Sequence, residues 1–141
     1  MKTSIKIIIV ACIAAIIIIP RRISNNNITV PESDPTAAAT SAERIDYFAS
    51  HGWEVEEICC RNVTVPSEFS EIYEEYAVIQ DKQGLPLREY AGKNALLYMY
   101  EVKNYSPDNQ KMLAELLVCD DIAVASMVYS EDGGSIRMAV S

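Results

Sequence analysis

The chain has 141 residues, with 12 Lys and Arg against 20 Asp and Glu and a formal charge of -8. That leaves room for one ordinary domain and a short appendage but not for two domains, and the 50% apolar content excludes a wholly disordered chain. A single His and five scattered Gly exclude most recognisable catalytic and phosphate-binding signatures.

Apolar residues concentrate at the start. Ile7 to Ile19 carries no charge, is preceded by Lys2 and Lys6, and is followed by Pro20, Arg21 and Arg22. Counted from Thr3 to Pro20, with the Lys6 ammonium reaching to the head groups, the run makes a helix of about 27 Å. That length suits a thin or locally thinned bilayer. Three readings compete. A cleaved signal peptide needs small residues around the cut, whereas this run ends in Ile19-Pro20-Arg21-Arg22. A lipobox can be written over Ile9-Val10-Ala11-Cys12, but the chain stays apolar after the cysteine. An uncleaved signal anchor over residues 1–22, contacting the lipid bilayer through residues 3–20, is the preferred reading.

The positive-inside count is tied, with two Lys before the span and two Arg after it. A short N-terminal flank ahead of a signal-like run favours export of the longer C-terminal part, so the expected location is the cell membrane, single-pass, with the C-terminal domain extracytoplasmic. All 20 acidic residues but only 8 of the 12 basic ones lie after residue 22, so residues 23–141 carry -12. A body this acidic repels nucleic-acid phosphates and anionic lipid. No nucleic acid partner is expected.

Residues 23–39 mix Asn, Pro, Ser and Ala without periodicity and read as a flexible tether, about 20 to 25 Å on average for a coil of that length. Residues 40–141 read as the folded domain. Thr40-Ser41-Ala42-Glu43 is a capping box, Ile45, Phe48 and Ala49 mark one helical face, and Gly52 ends the helix. Trp53 and Val55 start a strand whose alternation slips at Ile58 and Cys60, which predicts a bulge, and the strand runs to Val63 or Val65. A second helix is expected from Pro66, with an apolar stripe of Phe69, Ile72, Tyr73, Tyr76 and Ile79 or Gln80, stopped by Gly84.

After a loop through Gly92, residues 95–102 form a strand apolar on nearly both faces, which places it centrally. Met112 to Cys119 and Ile122 to Tyr129 read as a hairpin turning at Asp120-Asp121. Glu131 to Gly134 is another turn, leading to a last strand in Ser135 to Val140. The expected fold class is α+β, an antiparallel sheet of four to five strands with two helices on one face, preceded by an N-terminal membrane helix. All eleven aromatic residues lie in the domain, enough for one core.

Gly52-Trp53-Glu54-Val55, Val65-Pro66-Ser67-Glu68-Phe69, Tyr73 with Tyr76, Gln80, Gly84, Tyr90-Ala91-Gly92, Tyr98-Met99-Tyr100 and Asn104-Tyr105 together resemble a bacterial group known as domain of unknown function 4830. The likeness covers about residues 40–130. It implies a small membrane-anchored protein of the Gram-positive type with one domain, and implies no activity. The group's Gly-Gly-Asp run is replaced here by Ala125-Ser126-Met127, and Asp132-Gly133-Gly134 matches its later Asp-Gly only in part.

Candidate chemistry is sparse. Neighbouring Cys59 and Cys60 make either a vicinal disulfide switch or, as preferred, two side chains alternating across a strand, one in the core and one outside; Cys119 pairs with either only if the strands are neighbours. Glu54, Glu56 and Glu57 on the first strand and Glu68, Glu71, Glu74 and Glu75 near the second helix offer carboxylates for a cation or a proton, but read as a solvated face. His51 lacks a nucleophile and an orienting acid in any known motif context. Tyr98 and Tyr100 line either a groove or the packed face of the sheet, the latter being preferred. No catalytic, cofactor-binding or metal-ligating residue is assigned and no cofactor is expected. The function expected is a non-catalytic binding or interaction module at the cell envelope, with an envelope protein or peptide as partner. The alternatives are a carboxylate-based metal-dependent enzyme using Glu54, Glu57 and Glu68, or a purely structural envelope protein.

Overall fold

Thr40 accepts a hydrogen bond from the Glu43 amide through Oγ1 at 3.2 Å, and Glu43 Oε2 accepts one from the Thr40 amide at 2.9 Å. This reciprocal cap starts helix α1, Ser41–Ser50, and Gly52 at φ +89 lies just past its end. The computed structural model describes residues 34–141, so the expected anchor at 1–22 and most of the expected tether lie outside it. The rest of the chain runs through β1 (Val55–Thr64), α2 (Glu71–Lys82), a 3-10 turn (Leu87–Tyr90), β2 (Asn94–Val102), a second 3-10 turn (Pro107–Asn109), β3 (Met112–Cys119), β4 (Ile122–Ser130) and the two-residue β5 (Arg137–Met138).

The five strands form one antiparallel sheet in the order β1-β2-β3-β4-β5, a meander in which each strand pairs with the next. The fold is α+β, with β2 inside the sheet. Asp120 and Asp121 both take positive φ, the requirement of a two-residue hairpin whose twist matches the strands. Ile58 is left without a partner between Glu57, opposite Tyr100, and Cys59, opposite Met99; this is the bulge that the slipped alternation predicts. Val124 makes a second bulge in β4.

The helices do not share a face. Alternation puts Tyr98, Tyr100, Leu116, Ser126 and Val128 on one side of the sheet and Leu97, Glu115, Leu117, Met127 and Tyr129 on the other. α1 covers the first side, with the Phe48 ring 5.0 Å from Tyr100 and Tyr47 Oη 2.6 Å from Ser126 Oγ. α2 covers the second, where Ala77 packs in a cluster with Leu117, Ala125 and Leu87, and Tyr76 reaches Glu115. The expectation of both helices on one face is corrected for a simple reason. β2, β3 and β4 carry apolar side chains on both faces, and each face needs its own cover.

Three further differences have local causes. Packing begins before Thr40: Ala38 is fully buried, its amide donates to Asp121 O at 2.9 Å, and the Ala123 amide donates to Thr36 O at 2.9 Å. The C-terminal end of the expected tether therefore belongs to the sheet edge. α1 is rotated from the expected stripe. Ile45 is 40% exposed, while Arg44, Tyr47 and Phe48 are buried, because Arg44 lays its guanidinium 3.8 Å above the Tyr98 ring and donates to Ala38 O and Ala39 O. α2 starts at Glu71 rather than Pro66, since the Ser70 hydroxyl caps the Tyr73 amide at 3.3 Å.

Candidate functional site

α2 does not lie flat on the sheet. Its C-terminal half is held against β4 by Gln80, which donates through Nε2 to Ser126 O at 3.0 Å and accepts from the Ser126 amide through Oε1 at 2.8 Å. Its N-terminal half stands over the second face of the sheet and leaves a groove of about 680 Å³. The helix supplies Ile72, Tyr73, Tyr76 and Ile79 as one wall. Leu97, Leu117, Met127 and Tyr129 from β2, β3 and β4 form the floor. Gly133, Gly134 and Arg137, from the turn into β5, form one rim. Gly134 sits at φ +80, and a Cβ there would meet Arg137 Nε at 2.8 Å. The missing side chain lets Arg137 fold back so that Nε donates to Gly134 O at 3.1 Å.

One carboxyl group lies in this apolar floor. Glu115, at the middle of β3, is partly buried, and its Oε1 accepts a hydrogen bond from Tyr76 Oη at 3.1 Å. Burial raises the Glu115 carboxyl above the ordinary carboxylate range; the Tyr76 hydrogen bond and the charges of Arg61 and Arg137 oppose that rise without cancelling it. Burial and the neighbouring Glu115 charge push the Tyr76 phenol well above its ordinary value, so Tyr76 stays protonated and acts as the donor. Tyr73 and Tyr129 shift the same way, for burial first and Glu115 second. An apolar groove with a few convergent polar groups and a perturbed carboxyl is the ordinary form of a ligand site.

Glu115 was not among the residues singled out from the sequence. The signal was present, a lone charge inside the otherwise apolar run Met112 to Cys119. An interior charge in a strand covered on both faces lies either at a site or in a paired contact. Without the faces assigned, it reads only as a polar position in a half-exposed strand.

The residues that the sequence did single out are dispersed. Cys59 and Cys60 alternate across β1, and both are exposed because β1 is an edge strand, which corrects the expectation of one in the core. Cys119 is buried, its thiol donates to Asn94 O at 3.2 Å, and β2 separates it from β1, so pairing with Cys59 or Cys60 does not occur. Burial raises its thiol above the ordinary value. Glu56 pairs with Lys103 at 3.3 Å, Glu57 with Arg44 at 3.8 Å, and Glu74 with Arg88. Among the described residues no group of three His, Cys, Asp or Glu side chains is placed to hold a metal ion, so Glu54, Glu57 and Glu68 do not form the carboxylate set of the alternative reading.

His51 follows α1 with its ring 5.1 Å from Tyr47, and burial lowers its imidazole below the ordinary value. It lines a second, more polar hollow of about 520 Å³ beside α1. The neighbouring Ser50 hydroxyl donates to Tyr47 O at 2.7 Å rather than to His51. Tyr100 is buried beneath α1, and its phenol is pushed up to about 12, chiefly by burial. Tyr98 lies beneath Arg44. Both belong to the packed face, and the groove takes its tyrosines from α2 and β4 instead. Comparison with known proteins finds no family model, no curated protein and no solved structure that matches this chain.

Proposed function

We propose that the chain is a membrane-anchored extracytoplasmic module that binds a component of the cell envelope in the groove between α2 and the sheet, without catalysis. The groove carries the reading. Apolar walls on two sides supply burial energy, and the Glu115 carboxylate with its tyrosine donor supplies orientation. The apolar N-terminal run and the acidic body support the location, and the resemblance to domain of unknown function 4830 supports the same arrangement of anchor and domain. In this reading the partner is an envelope protein, a peptide or a smaller envelope component, and the net charge of residues 23–141 keeps nucleic acid away.

The experiment places a photo-crosslinking residue at Ile79, in the groove wall, or at Ile58, on the open edge of β1, in the full-length chain in its native membrane. The expected outcome is a discrete crosslinked species from position 79 that Leu97→Arg abolishes, with none from position 58. A species from position 58 that survives Leu97→Arg moves the binding surface to the β1 edge and sinks the groove reading.

A further inference from the structure

Resting on the groove reading, we infer that the ligand is a small amphiphilic organic amine, with a protonated amino group held by Glu115 and an apolar body lying between α2 and the sheet. Size comes first. The volume of about 680 Å³ falls within the ~300 to 1,000 Å³ of small-molecule sites and is several times what one lysine side chain needs. Chemistry comes second. Glu115 Oε1 is engaged by Tyr76, and among the described residues no donor reaches Oε2. A carboxylate on an apolar floor gains most from a charged donor, because charge-assisted hydrogen bonds strengthen as water is excluded.

The groups facing Glu115 are Tyr76 and Tyr73 from α2, Tyr129 from β4, Arg61 from β1 and Arg137 from the β5 turn. Neither arginine comes within ion-pair distance of it. Arg137 is turned to Gly134 O, and the direct contact of Glu115 is a neutral phenol. Charge complementarity comes third. Glu75 also borders the groove, and the whole body is acidic, so the long-range field draws cations inward.

The test uses the full-length chain in lipid nanodiscs with labelled methionine methyls, the Met127 methyl being the reporter on the groove floor. The probes are n-hexylamine, 1-hexanol and hexanoate, which share one apolar body and differ in the head. The expected result is saturation of the Met127 shift by hexylamine at a concentration about tenfold or more below that of the other two. Glu115→Gln should remove that preference, bringing the hexylamine and hexanol saturation concentrations together. Should that variant fail to fold, Glu115→Asp, which retracts the carboxylate by one methylene, is expected to cut the preference in part.

Equal saturation by hexanol overturns the role of the carboxylate. Tightest binding of hexanoate assigns the head-group contact to Arg61 and Arg137 instead. Tighter binding of acetyl-Leu-Lys-Leu amide than of hexylamine overturns the small-molecule assignment in favour of a peptide. In all three results the groove survives as a site. No Met127 response to any probe, together with an unchanged melting temperature for the groove-filling Leu97→Trp, overturns both the amine and the groove.

Discussion

Glu115 and Tyr76 form one unit, and what happens to either depends on pH. An unfolded glutamate ionises near pH 4.3, whereas burial moves folded Glu115 to a higher value. Between those two values the folded state holds a proton that the unfolded state has released, so this group's contribution to stability falls as pH rises through that window. Glu115→Gln keeps a partner for the Tyr76 hydroxyl and removes the titration. Its melting temperature relative to the wild type should therefore climb as pH rises from about 4 through the raised folded value, and a difference flat with pH would refute the assignment. Tyr76→Phe works in the opposite sense. At neutral pH it strips a partly buried carboxylate of the donor that Tyr76 supplies, a loss of about 1.5 to 3 kcal/mol read by urea unfolding. Well below about pH 4, where Glu115 is neutral in both states, that loss should shrink.

At the level of elements, the two edges of the sheet are treated differently, and α2 explains why. The outer edge of β4 is closed in three pieces: residues 36–38 at its start, the Gln80 and Gln83 side chains at Ser126, and β5 at Val128 and Tyr129. Gln80 stands in for a strand residue, giving one donor and one acceptor to the backbone. Gln80→Leu conserves bulk but leaves the Ser126 amide without its partner and weakens what reaches Ser126 O, and should cost about 2 to 4 kcal/mol. Ile72→Glu, at a position 75% exposed, should change stability by less than about 0.5 kcal/mol. The contrast inverts the hydropathy of the two residues, and equal losses in thermal unfolding would contradict the placement of α2. The same contrast shows what was legible in the sequence. The capping box, the Asp120-Asp121 hairpin and the β1 bulge were readable because each rests on local chemistry within a few residues. The side of the sheet on which a helix packs is a long-range choice. Apolar positions on both faces of β2 to β4 carried that information, but periodicity along α2 did not, since Ile72 fits its stripe and yet stays 75% exposed at the mouth of the groove. Glu115 stayed hidden for the same reason, and so did Arg44, a cation whose buried place depends on Tyr98 and on carbonyls at 38 and 39.

For the whole molecule, the open edge of β1 is the feature that reports its address. β1 is ten residues long and mostly exposed, and it carries Glu54, Glu56 and Glu57 at or beside its start, a bulge at Ile58, and Arg61. Charges and a bulge on an edge discourage strand addition by other chains, so the edge stays free to react with solutes. Cys59 and Cys60 lie on it side by side. A disulfide between them would need sulfurs about 2.05 Å apart, while neighbouring side chains on an extended strand point to opposite faces. Both thiols should therefore be available to a membrane-impermeant maleimide, and Cys119 should join them only after denaturation. If the domain stands outside the membrane, intact cells will yield two labels on this chain, with Cys119 adding a third in guanidinium and Cys12 a fourth once detergent strips the lipid. Two labels that appear only after lysis would put the domain on the inner side and remove the envelope from its proposed function while leaving the groove untouched. No label before a reductant is added would mean that β1 is distorted from its extended form so that the two thiols join each other, or that Cys59 and Cys60 are both joined to another chain. Gel mobility without reductant separates those two cases, because a bond between chains adds the partner's mass and a local one does not.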